Sequence, residues 1–292
     1  MNIVIIPARG SSKRIKNKNL KLFLGKPIIQ WTIENLKKYE FINKIIVSTD
    51  SKKIADFSKK IGADVPFIRP KKISTDHATT SEVMKHAVDN IKFKANYVCC
   101  VYPTSVFINK KDLKSGYEKI RKNNYDYVFS VTESNKPIEK FFQIKKNKII
   151  LNNSKFEKSR TQDLNKYYFD AGQFYWGKIG SWKNSKNIFS SKSYPINISN
   201  WKTHDIDTMN DWDKAEKLMQ IIINENNKNN QNEYLKILNK IEKIRSKNNV
   251  NWMDILRLAF RHAPKEARQL LKRVNSEDKK ISSLLKKLSS VK

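Results

Sequence analysis

Two groups of residues in this chain have the types and spacing to do chemistry. The first follows an apolar run near the start: Arg9, Gly10, Ser12, Lys13 and Arg14, then Lys18 and Asn19. Small residues let a backbone approach a phosphate chain, and closely spaced cations neutralise it. The spacing is neither that of a Walker loop nor that of a dinucleotide fingerprint. Composition alone leaves a solvated basic loop as an equal reading. The second group is Asp205-Ile206-Asp207-Thr208. Carboxylates at i and i+2 share one face of an extended segment, and two hard oxygens near a polyphosphate suit Mg2+. Such an ion would shield the phosphates and stabilise a pyrophosphate leaving group. The plainer reading of a bare Asp-x-Asp is an acidic turn before a helix. His86 and His204 qualify as bases by residue type only.

The elements that would position these groups are legible from periodicity. Ile3 to Ile6 form a continuous β-branched run, which predicts a buried parallel strand. Further strands are expected at 44–49, 97–102 and 127–131. Helices are expected at 27–38, 51–60, 80–91 and 111–121, with Gly62 as a C-cap. Strand and helix in alternation predict an α/β fold with a doubly wound, mostly parallel sheet. Ligands bind such sheets at the C-terminal ends of strands, so the loops after 8, 49, 102 and 131 are the places to look. From Glu133 to Lys166 the alternation breaks into a basic, irregular stretch that reads as an inserted arm. A helix is expected from about Asp211 to Ile223. The Asn-rich run 224–232 reads as a linker, and 233–292 as a basic segment of amphipathic helices. The organisation is thus a domain at 1–223, a linker and a C-terminal appendage.

The chain has 292 residues, 39% of them hydrophobic, enough for a full core. Its net charge is +31, from 59 Lys and Arg against 28 Asp and Glu. That excess raises nucleic acid as a partner, but the basic residues are dispersed and no nucleic-acid module is recognisable. No apolar run approaches the roughly 20 residues of a membrane helix. Met1 leads directly into the first strand without a basic leader, which points to the cytoplasm. Cys99 and Cys100 are neighbours in a predicted strand, face opposite ways and read as core thiols.

Taken together the segments resemble a known family. The landmarks are IPARGSSKR followed by Lys18-Asn19, STD at 48–50, RP at 69–70, YPTS at 102–105 and DIDT at 205–208. They resemble those of the acylneuraminate cytidylyltransferases over about residues 1 to 222. The pseudaminic acid branch is the nearest, on VCCVYPTSVF (98–107), FSVTES (129–134), RTQDLN (160–165) and YFDAGQFYWG (168–177). The resemblance implies a nucleotidyltransferase that joins CTP to a nine-carbon 2-keto sugar acid and releases pyrophosphate. Legionaminic and N-acetylneuraminic acids are the alternatives to pseudaminic acid. It implies that Ala8, Arg9, Gly10, Ser12, Lys13, Lys18, Asn19, Arg69 and Thr79 or Thr80 lie on the nucleotide side. Asp205 and Asp207 would bind Mg2+, and Arg9, Lys13 and Asp207 would be the catalytic residues. Tyr102 stands where sialic acid enzymes carry Gln, which turns the reading away from sialic acid. Tyr102, Pro103, Thr104, Arg160, Asp170, Gln173 and Tyr175 are the expected sugar contacts, with Arg160 on the carboxylate. Of the aromatics at 167–176, at least half are expected in the core.

A homodimer is implied by the same resemblance, with 133–166 as its arm. The segment after 232 lies outside the resemblance. It is expected to form a small helical bundle. Peripheral contact with an anionic membrane through Lys272, Arg273, Lys279, Lys280, Lys286 and Lys287 is the alternative.

Overall fold

The structure, a computed structural model, describes residues 1–92, 94–151, 154–156, 159–203, 205–246, 262–263 and 275–287. The chain divides into two compact units, Met1–Glu216 and Lys217–Lys292.

The first unit opens with β1 (Asn2–Pro7), a two-stranded turn of β2 (Leu22–Phe23) and β3 (Lys26–Pro27), and α1 (Ile28–Lys37). Then come β4 (Lys44–Ser48), α2 (Lys52–Lys60), α3 (Thr80–Asn90), β5 (Tyr97–Val101), α4 (Lys110–Lys122) and β6 (Tyr127–Glu133). A hairpin of β7 (Phe142–Lys145) and β8 (Lys148–Leu151) follows, then β9 (Tyr168–Lys178), α5 (Ile179–Lys183) and β10 (Ser193–Asn197). The main sheet has the order β10-β6-β9-β5-β1-β4. β4, β1 and β5 run parallel, as do β6 and β10. β9 runs antiparallel between β5 and β6.

Alternation along β1 builds both halves of the core. Val4 and Ile6 face α1 and α4, packing with Ile29, Ile33, Leu113 and Ile120. Ile3 and Ile5 face α3 and α5, packing with Met84, Val88 and Trp182. Every one of these side chains is at most 2% exposed, as strands covered on both faces require. Cys99 belongs to the first cluster and Cys100 to the second, and both are free thiols. Gly62, at φ +87°, ends α2 as the sequence predicts.

One expectation needs correction. The run 224–232 is not an irregular linker but part of α6 (Met209–Ser246). Asn is only a mild helix disfavourer, and the run holds no Gly or Pro to break the helix. The antiparallel β9 was also not legible as such, because local periodicity carries no strand direction. Of the appendage, 275–287 is helical with Ile281 buried. Residues 247–261 and 264–274 of the expected helical segment lie outside the described residues. No helix among the described residues is long and apolar enough to cross a membrane.

Within 133–166, β7 and β8 form an exposed hairpin that mixes apolar and basic residues. The hairpin exposes Phe142, Ile144, Ile149, Ile150 and Leu151, with Ile144 at 71% and Ile149 at 65%.

Candidate active site

The loop after β1 is pinned before it meets any ligand. Ala8 donates its amide to Ser48 O, and Gly10 donates to Asp50 Oδ1 at 2.7 Å. A Cβ on Gly10 would stand 2.8 Å from Ser51 Cβ, so only Gly lets the loop lie against the start of α2. Asn19 is buried and donates from Nδ2 to Arg9 O, which ties the two ends of the loop together. The loop cations then meet two carboxylates. Arg9 and Lys13 pair with Asp76, while Arg14 (2.6 Å) and Lys18 (3.3 Å) pair with Asp207.

These residues line a cavity of about 570 Å³ over the C-terminal ends of β1 and β5. The cavity brings together Arg9, Ser12, Lys13, Lys18, Asn19, Arg69, Thr80, Tyr102, Pro103, Thr104, Asp205 and Asp207. Arg69 is only 4% exposed, donates from Nε to Ser74 Oγ and takes its backbone position from Thr49 O. Burial lowers its pKa, as does the nearby Arg9, with Asp50 opposing. Burial also raises the pKa of Asp205, and the like charge of Asp207 adds to it. Two carboxylates so placed are suited to a shared cation.

A second cavity, about 290 Å³, lies on the other side of Tyr102. Thr79, Asp170, Tyr175 and Phe189 line it, and Thr80 and Tyr102 line both cavities. The Tyr102 hydroxyl is 2.6 Å from Thr80 Oγ1, and Tyr175 donates to Asp170 at 2.5 Å. Tyr102 and Tyr175 meet edge to face at 5.8 Å. Burial pushes both phenols well above their ordinary range, so both are neutral hydrogen-bonding groups.

Tertiary contacts separate the expected site residues. Thr79 is held in a capping box with Glu82, which leaves Thr80 as the hydroxyl on the larger cavity. Ala8 is buried in the core, and Gly10 contributes backbone only. Gln173 is buried, donates to Lys202 O and lines neither cavity. Arg160 is exposed, pairs with Asp163 and lines neither cavity. His86 packs edge-on against Phe67 and lines neither cavity, and His204 lies outside the described residues. Among the aromatics, Phe174, Tyr175 and Trp176 are buried, whereas Tyr168 and Phe169 are exposed.

The sequence reading gave no role to Asp76 or Phe189. Asp76 and Phe189 carry no local signal, since a lone Asp or Phe in a polar loop is ordinary.

Comparison with known proteins bears on these features. The family model described as Cytidylyltransferase matches residues 3–244. A pseudaminic acid cytidylyltransferase of Campylobacter jejuni is 38% identical over 224 residues, covering 75% of this chain and 97% of that one. A CMP-N,N'-diacetyllegionaminic acid synthase of Legionella pneumophila is 31% identical over 233 residues, covering 75% and 96%. A solved CMP:2-keto-3-deoxy-manno-octonic acid synthetase, complexed with CTP, superposes with a TM-score of 0.58 at 16% identity. That match covers 75% of this chain and 98% of that one, a likeness of fold.

Proposed function

The chain belongs to the cytidylyltransferase family and is a nucleotidyltransferase, and from that premise we propose that it joins CTP to pseudaminic acid. The products are CMP-pseudaminic acid and pyrophosphate. One observation carries this reading: a polyphosphate-sized cavity with four loop cations and three carboxylates shares the Thr80–Tyr102 wall with a second, partly aromatic cavity.

The chemistry assigns work to each part. The anomeric hydroxyl of the sugar acid attacks the α-phosphorus, and the bond to pyrophosphate breaks. Arg9, Ser12, Lys13, Lys18 and Arg69 hold the phosphates and neutralise the charge that builds on the leaving group. Asn19 and Thr80 border the ribose and base. Tyr102, Thr104, Asp170 and Tyr175 orient the sugar acid, with Phe189 against an N-acyl group. Such transfers depend mainly on positioning and charge stabilisation.

Cytidylyltransferases of this kind generally use a divalent metal. Asp205 and Asp207 fit one, because both line the phosphate cavity and the charge of Asp207 raises the Asp205 pKa. Their hard oxygens favour Mg2+, which when bound neutralises phosphate charge.

A homodimer is part of the proposal. The exposed apolar residues of hairpin β7–β8 are the surface that calls for a partner copy. An arm reaching a second copy would also carry Arg160 toward a sugar carboxylate. We assign the enzyme to the cytoplasm, where CTP is made, and the appendage to a helical bundle with peripheral membrane contact as its alternative.

The test is pyrophosphate release from CTP and Mg2+ with pseudaminic, legionaminic and N-acetylneuraminic acids in parallel. Release with pseudaminic acid alone is expected. Release with one of the others alone would move the sugar assignment, and silence with all three would remove it.

A further inference from the structure

Asp76 is the one carboxylate in the phosphate cavity that the reaction above does not use. Its position is built, not incidental. The segment before it turns through Ile73 N to Pro70 O and Ser74 N to Lys71 O. Ser74 is buried, donates to Pro70 O and accepts from the buried Arg69. The segment after it is fixed by the capping box at Thr79. Asp76 therefore hangs between two anchored points and presents its carboxylate to the loop. There it takes two cations at once, Arg9 and Lys13, the latter at 2.7 Å. Their hydrogen bonds hold the Asp76 carboxyl below the usual carboxylate range, so it is charged wherever CTP is.

Those two cations are the ones a triphosphate needs. A phosphate chain and the Asp76 carboxylate cannot both take the same donors, because Arg and Lys offer a limited set of N–H groups. We propose that Asp76 is a resident competitor for polyphosphate. It yields Arg9 and Lys13 to the incoming triphosphate and reclaims them as pyrophosphate departs. Asp76 thereby sets the affinity for both ends of the reaction, as a positioning residue that acts through two cations. A loop of four cations without it would hold both substrate and product more firmly. This inference rests on the assignment of the cavity to CTP.

The pairs are only partly shielded, with 32% of the Asp76 side chain exposed. The effect is correspondingly modest. Asp76→Asn is expected to bind tripolyphosphate, in metal-free buffer, roughly twofold to thirtyfold more tightly than wild type, the range for two exposed ion pairs. CTP and inhibitory pyrophosphate should tighten in the same proportion. Asp76→Glu keeps the charge and should stay within about twofold of wild type on that same scale. Asp56→Asn removes the same charge from an exposed position on α2 and should change nothing. Equal or weaker tripolyphosphate binding by Asp76→Asn would overturn the proposal. So would an equal gain in Asp56→Asn, which would trace the effect to net charge, or an equal gain in Asp76→Glu. A wild-type protein that bound tripolyphosphate but not CTP would sink the nucleotide assignment, while the three variants would still read the competition.

Discussion

Replacing Tyr102 by Phe separates the two substrates. The ring stays, edge-on to Tyr175, so packing between the cavities is kept. One hydroxyl is lost, with its 2.6 Å bond to the half-buried Thr80. A neutral hydrogen bond of this kind contributes about 0.5–1.5 kcal/mol to stability. For a domain of this size that lowers Tm by about 1–6 °C. The same hydroxyl stands beside the cavity assigned to the sugar acid. Losing one neutral contact there should raise KM for the sugar acid roughly twofold to tenfold, at about 1.4 kcal/mol per factor of ten. KM for CTP should rise less than that for the sugar acid, since the loop cations are untouched. The assay is pyrophosphate release with each substrate varied at saturation of the other, beside a thermal melt. A rise in KM for CTP equal to that for the sugar acid would refute the division of the two cavities. An unchanged sugar KM would remove Tyr102 from that site.

Three further outcomes are expected. Asp207→Ala should lower kcat by at least about a hundredfold, several kcal/mol of lost charge stabilisation, with little change in Tm; near-full activity by pyrophosphate release would remove the metal assignment. Gly177→Ala would place a Cβ 2.8 Å from Tyr127 Cε1 and closer still to Trp182, whose indole donates to Val98 O. Overpacking of this kind costs about 1–3 kcal/mol, a fall in Tm of about 2–12 °C by calorimetry, and an unchanged melt would contradict the packing. Burial, then the charge of Arg69, holds the His86 pKa below its ordinary 6.5. As pH falls through that value the unfolded chain takes a proton that the folded chain refuses, so stability falls with it. His86→Asn should flatten the loss of Tm between about pH 7 and pH 5, and an identical slope in both proteins would refute the linkage.

The sequence by itself determined what local chemistry can carry. The run Ile3–Ile6 could only be a strand buried on both faces, and its alternation divides the core as found. Gly62 marked the end of α2, and the density of cations after β1 marked a basic loop. The Asp205–Asp207 spacing marked a pair of carboxylates. These follow from residue type and short-range period, which no distant contact alters. Other features depended on distance in the chain. β9 entered between β5 and β6 in the opposite direction, a matter of long-range pairing that periodicity does not encode. Arg14 met Asp207 from 193 residues away. Thr79 and Thr80 look alike in sequence, and only the capping box committed Thr79 to the cap of α3 and left Thr80 to the larger cavity. Gln173 read as a ligand until packing turned it into the core, and Arg160 meets Asp163 within its own chain. Asp76 had no motif, because its role comes from the two cations it meets rather than from its neighbours in the chain. Residue type fixes what a side chain can do, but only the close packing of distant segments fixes which partner it meets.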